Sequence, residues 1–117
     1  MTDKPENPHF NGLTPAEAER LAMLAEEAAE VIQIIGKILR HGYENFHPDA
    51  PETTNRELLA MEVGDFTSIA DKMVEVGDIP FGMVEKYFWD NSGSTWMYKL
   101  QHTHHQKDAM LEERAKS

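Results

Sequence analysis

The stretch from Ala25 to Arg40, AEEAAEVIQIIGKILR, decides the fold that we expect for this chain. Its apolar residues recur at spacings of three and four, which is the period of an amphipathic α-helix. The acidic half of the stretch holds Glu26, Glu27 and Glu30. Because an α-helix turns by about 100° per residue, Glu27 and Glu30 project from the same face.

A second acidic pair lies in the segment MEVGD, where Glu62 and Asp65 also stand three residues apart. This segment has helical periodicity too, so its two carboxylates project together. If the two acidic faces pack against each other, four carboxylates meet at one place. Clustered carboxylates repel each other, and a hard divalent cation with oxygen ligands relieves that repulsion. The sequence therefore predicts a metal site between two helices.

Helix-end signals predict an all-α fold. Thr14 to Glu17 (TPAE) and Thr54 to Glu57 (TNRE) have the form of capping boxes, and Gly42 is a plausible C-cap for the first helix. No alternating run is long enough for a strand. We expect a bundle of about four helices, with an N-terminal arm at 1–13 and one domain at 14–117. The expected helices are 15–40, a second that begins at Thr54 and ends at Gly77, Pro80 to Asp90, and about Thr95 to Arg114. The expected core stripes are Leu21, Leu24, Ala28, Val31, Ile35 and Ile38 on the first helix and Leu59, Val63, Phe66, Ala70 and Met73 on the second.

Composition narrows the class of function. The 117 residues are enough for one domain. The net charge of −10 argues against binding to nucleic acid or to an anionic membrane surface. The chain has no cysteine, its first residues lack a signal-peptide pattern, and no apolar run is long enough to span a membrane. We expect a cytoplasmic protein.

The acidic motif and its context resemble a known family. Glu26-Glu27-x-x-Glu30 followed by Glu62-x-x-Asp65 resembles the signature of the MazG-like all-α nucleoside triphosphate pyrophosphohydrolases. These enzymes are relatives of the dimeric dUTPases and the phosphoribosyl-ATP pyrophosphohydrolases. The segments KILRHG and TTNRELLAMEVGD are similar to stretches in short, phage-type members. The similarity covers roughly residues 20–75.

The resemblance implies magnesium-dependent hydrolysis of a nucleoside triphosphate to the monophosphate and pyrophosphate. Some phage relatives act on deoxynucleotides, so a deoxynucleoside triphosphate is the expected substrate. Mn²⁺ is the expected substitute for Mg²⁺. Glu27, Glu30, Glu62 and Asp65 carry over as metal ligands, and Glu26 takes a metal or orients water. Glu26 and Glu27 are thus the predicted catalytic residues. The resemblance also implies a homo-dimer or homo-tetramer, in the host cytoplasm if a phage encodes the protein.

Four further residues are predicted to bind the substrate, and three of them also have a plainer explanation. Lys37 lies two turns beyond Glu30, where it is expected either to contact the phosphate or base of the substrate or to face solvent. Lys72 lies two turns beyond Asp65 and is a candidate for contact with a substrate phosphate. Ile34 lines a base pocket or belongs to the core. Asn55 binds the substrate or caps the second helix.

Two remaining features of the sequence, its C-terminal aromatic residues and its HTHH segment, bear on assembly and on the type of metal site. Trp89, Trp96, Met97 and Tyr98 form more apolar surface than a small monomer needs, which indicates burial against another subunit. The main alternative to an enzyme is a non-catalytic oligomeric helical interaction protein. The histidines of the HTHH segment (102–105) lack the cysteine or HExxH spacing of a zinc site, so an exposed polar face is expected there.

Overall fold

The computed structural model describes residues 10–89 and 95–106. Within these ranges the chain is helical and has no β-strand, which confirms the all-α class; Phe46 and Thr54 form one isolated bridge. The helices are α1 (Pro15–His41), α2 (Asn55–Glu75), α3 (Met83–Trp89) and α4 (Thr95–Leu100). The chain divides into two compact units, Met1–Ile79 and Pro80–Ser117. None of the described helices combines the length and apolar character that crossing a bilayer requires.

Both predicted capping boxes are present. The Thr14 side chain accepts the backbone N–H of Glu17 at 3.1 Å, and Glu17 accepts the backbone N–H of Thr14 at 2.8 Å. Thr54 and Glu57 make the same reciprocal pair at the start of α2. These bonds satisfy backbone donors that a helix start leaves without a partner. The beginnings of α1 and α2 therefore follow from local sequence.

The two long helices form an antiparallel hairpin. Arg20, near the start of α1, donates to both carboxylate oxygens of Asp78, just after α2, at 2.5 and 3.1 Å. At the other end, Asn55 donates through Nδ2 to the carbonyl of Gly42 at 3.1 Å. Gly42 has φ +92°, which a glycine adopts without strain, and its N–H donates to the carbonyl of Ile38. This hairpin brings the middle of α1 against the middle of α2.

The buried face of α1 is rotated from the one that its sequence predicts. Ile34 is only 5 % exposed, whereas Leu21 and Ile35 of the expected core stripe are exposed. Met73 is the buried apolar residue in the described part of α2, as expected, whereas Val63 is exposed. The reason is that a single α2 covers a narrow strip of α1, and the wide apolar surface of α1 extends beyond it. The other residues expected in the core are partly buried: Leu24, Ala28, Val31, Ile38, Leu59, Phe66 and Ala70.

The second unit has shorter helices than the sequence predicts. α3 begins at Met83 instead of Pro80, after a turn in which Met83 donates to the Pro80 carbonyl at 3.2 Å. α4 ends at Leu100, whereas the prediction continued it to Arg114. The reason is local: Thr103 donates through both its N–H and its hydroxyl to the carbonyl of Leu100, which ends the α-helical pattern. Residues 107–117 and the arm at 1–9 lie outside the described part of the chain, as does the side chain of Met97.

Candidate metal centre

Four carboxylates meet where α1 packs on α2. Glu27 and Glu30 come from α1, and Glu62 and Asp65 come from α2. One carboxylate oxygen from each residue lies within 4.8 Å of the others. Two helical i, i+3 pairs produce this acidic cluster because the hairpin places their faces opposite each other. The predicted gathering of these side chains is therefore observed, while their role as metal ligands stays a prediction.

The acidic cluster leaves two buried oxygens without a donor. Within the part of the chain that the structure describes, Oε2 of Glu27 and Oε2 of Glu62 are buried and have no hydrogen-bond partner. A buried polar oxygen that loses water without gaining a partner is unfavourable, and a carboxylate oxygen more so. Mg²⁺ prefers oxygen ligands, so these side chains fit such an ion.

Hydrogen bonding, partial burial and mutual repulsion together raise the pKa values of Glu27 and Glu62 in the cluster. Protonated Glu62 can donate a hydrogen bond to Glu30, which two ionised carboxylates cannot form. This bond, with partial burial and the charges of Glu30, Asp65 and Glu27 as further causes, raises the pKa of Glu62 to about 7. Partial burial raises the pKa of Glu27, and the charges of Glu30, Asp65 and Glu26 add to this rise. The cluster thus holds a proton more readily than free glutamates do, and a bound cation would compete with that proton.

A central cavity of about 250 Å³ adjoins the acidic cluster. Ile34 and Lys37, both predicted to bind the substrate, line it together with Glu30 and Glu62 of the cluster. Gln33 and Leu58 also line the cavity, and the sequence interpretation missed both. Their spacing carried a signal, because Gln33 follows Glu30 by three residues and Leu58 precedes Glu62 by four. The central cavity thus offers apolar, amide and ammonium groups beside the carboxylates.

The remaining predicted residues lie elsewhere. Glu26 is exposed and is not part of the four-carboxylate group, although its charge acts on Glu27. Asn55 is 1 % exposed and lines another cavity, with Lys37. Lys72 is exposed and pairs with Glu75 at 3.2 Å, and it lines neither of these two cavities.

The HTHH histidines belong to the second unit. The His102 ring lies 5.1 Å from the ring of Tyr98, and the rings of His104 and His105 are 6.3 Å apart. Among the described residues, the acidic cluster is the group whose ligand atoms converge closely enough for a metal ion. The carboxylates, and not the histidines, are thus the candidate metal ligands. Comparison of the chain with protein-family models, curated proteins and solved structures found no match, so the geometry of the acidic cluster carries the functional argument.

Proposed function

We propose that the protein hydrolyses nucleoside triphosphates to the monophosphate and pyrophosphate, with Mg²⁺ held by the acidic cluster. The observation that carries this proposal is the pair of buried, donor-free oxygens on Glu27 and Glu62 within a group of four converging carboxylates. The acidic motif shared with the MazG-like pyrophosphohydrolases supports the same reaction. The cavity beside the cluster supports a substrate that is larger than inorganic phosphate.

The cluster residues have separate tasks in this proposal. Glu27, Glu30, Glu62 and Asp65 would hold the metal, which supplies charge neutralisation of the phosphates and activation of the attacking water. Glu26 is exposed and outside the ligand group, so its carboxylate is free to accept the proton of the attacking water and pass it to solvent. Water adds to phosphorus, a phosphoanhydride bond breaks, and pyrophosphate leaves.

The central cavity is proposed to hold the nucleoside. Ile34 and Leu58 present apolar surface to a base, while Gln33 and Lys37 supply hydrogen-bonding groups. A site that pairs with the edge of a base rejects analogues strongly, because the wrong base leaves buried polar groups without partners. We therefore propose a preference among bases, with deoxynucleoside triphosphates as substrates and purines favoured on the family resemblance.

The test is to incubate the protein and Mg²⁺ with each of the eight common nucleoside triphosphates and to identify the products by anion-exchange chromatography. Monophosphate with pyrophosphate is the expected result. Glu30→Gln and Asp65→Asn should abolish turnover, because each removes a ligand charge while it keeps the side-chain shape. Glu19→Gln and Asp71→Asn are matched controls, since they make the same changes at exposed positions of the same helices. Diphosphate with phosphate, or normal turnover in the two cluster variants, would refute the assignment.

A non-catalytic interaction protein is the second candidate, because the first unit exposes apolar side chains on the hairpin. Ile32 and Leu39 of α1 and Met61 of α2 are examples. Such surface also suits a homo-dimer or homo-tetramer of an enzyme, which is the assembly that we propose. Magnesium separates the candidates: a ligand that binds only the folded state raises the unfolding temperature. An interaction protein predicts no magnesium-dependent shift in a thermal unfolding assay.

A further inference from the structure

A second cavity, of about 200 Å³, lies where the loop after α1 meets the start of α2. Its polar lining comes from Lys37, Arg40, His41, Asn45, His47 and Asn55, and we name it the cationic cavity. Among the described residues, no carboxylate lines it, although 21 of the 117 residues of the chain are acidic. The lining of the cationic cavity thus carries positive charge, whereas the net charge of the chain is negative.

The lysine and arginine of this cavity have no carboxylate partner among the described residues. The described part of the first unit contains five such cations, and three of them pair with a carboxylate: Arg20, Arg56 and Lys72. The two that form no ion pair with any described residue are Lys37 and Arg40. In a chain of net charge −10, carboxylates are plentiful. Two cations without an ion pair to any described residue beside one cavity leave their N–H donors available to an external anion.

The loop side of the cavity is held by specific hydrogen bonds. Asn55, which is almost fully buried, donates through Nδ2 to the carbonyl of Gly42 at 3.1 Å and through its backbone N–H to the carbonyl of Asn45 at 2.8 Å. Nδ1 of His47 accepts the backbone N–H of Asp49 at 3.0 Å, and the Asp49 carboxylate is 3.8 Å from the same nitrogen. A neutral His47 therefore carries its proton on Nε2, which makes that atom a donor.

The C-terminal end of α1 explains the presence of some cationic residues in this cavity but not of others. Cations are favoured in the last turn of a helix because they interact with its partial negative charge. This accounts for Arg40 and His41, which occupy the last turn of α1. It does not account for Lys37, which lies before that turn, or for His47, which comes from the loop. Donors from three parts of the chain converge on one cavity.

We propose that the cationic cavity binds a phosphoryl group. A guanidinium, an ammonium and imidazole and amide N–H groups match the oxygens of a phosphate, and charged donors bind them most strongly. At 1.5 Å per residue, Arg40 lies about 15 Å along α1 from Glu30, so this phosphoryl group is separate from those at the acidic cluster. Its source is either a second phosphate on a nucleotide or free phosphate. The inference does not depend on the proposed function.

The test is an amide NMR titration of the full chain with inorganic phosphate, in EDTA and at constant ionic strength. We expect saturable shifts in residues 37–48 and in Asn55. Lys37→Gln and Arg40→Gln should each weaken binding about tenfold or more, because each removes a charged hydrogen bond to the anion. Lys86→Gln removes one charge outside the cavity lining and should leave the affinity unchanged. Glu30→Gln should also bind phosphate normally, which keeps this test apart from the test of the metal centre.

Two further titrations distinguish the sources of the phosphoryl group. A nucleoside 3′,5′-bisphosphate that binds more tightly than both inorganic phosphate and the 5′-monophosphate, and loses this advantage in Arg40→Gln, would assign the site to a nucleotide phosphate. Equal affinities for the bisphosphate and inorganic phosphate would assign it to free phosphate. Absence of saturable shifts, or equal affinity in the wild type and in both the Lys37 and Arg40 variants, would overturn the proposal. Circular dichroism verifies that each variant is folded, and either variant alone suffices for the test.

Discussion

Magnesium binding to the acidic cluster should release protons. The metal binds ionised carboxylates, whereas carboxyls of this cluster hold a proton in the metal-free protein. With the pKa of Glu62 at about 7, this carboxyl is about 0.9 protonated at pH 6 and about 0.1 protonated at pH 8. Binding should therefore release about 0.9 proton per site from Glu62 at pH 6 and about 0.1 at pH 8. The apparent affinity for Mg²⁺ should be about tenfold weaker at pH 6 than at pH 8. The raised pKa of Glu27 acts in the same direction.

Isothermal titration calorimetry at both pH values, in two buffers of different ionisation enthalpy, measures the affinity and the protons released. Glu62→Gln should weaken binding and reduce its pH dependence, since it removes both a ligand and the main titrating group. Asp71→Asn, at an exposed position of α2, should behave as the wild type does. Equal affinity at pH 6 and pH 8 without proton release would refute the raised pKa of Glu62. No binding at pH 8 would refute the metal centre itself.

Three further predictions concern stability and assembly. The raised pKa of Glu62 contributes stability that is fully present below the unfolded value near 4.5 and is lost as the pH rises through about 7. This contribution should thus give the metal-free protein a lower unfolding temperature at pH 8 than at pH 5. Glu62→Gln should reduce that difference in unfolding temperature. Thermal scans in which the variant shows the same difference as the wild type would contradict the prediction. Met73→Ala should lower the free energy of unfolding in urea by about 2–5 kcal/mol, because Met73 is 2 % exposed, whereas Met61→Ala, at an exposed position, should change it by about 0.5 kcal/mol or less. The exposed Ile32, Leu39 and Trp89 predict a homo-oligomer, and light scattering that gives the 13.3 kDa monomer mass at micromolar concentration would count against it.

The sequence alone determined the features that depend on neighbouring residues. Capping boxes at Thr14 and Thr54 set the starts of both long helices, and Gly42 set the end of the first, because these signals act through bonds within a few residues. The i, i+3 spacing of each acidic pair likewise fixed which carboxylates share a helix face. The convergence of the two pairs was predicted only on the condition that the two acidic faces pack together, and the structure shows that they do.

Other features depended on how the two helices pack, and the tertiary structure alone decided them. Periodicity shows that α1 is apolar over a wide arc, but only the position of α2 determines that Ile34 is buried while Ile35 is exposed. The donor-free oxygens of Glu27 and Glu62 also arise from packing, because burial of an atom depends on the opposite helix. The cationic cavity has the same origin. Lys37 and His47 are ten residues apart in the sequence, and only the loop fixed by Asn55 brings both to the lining of one cavity.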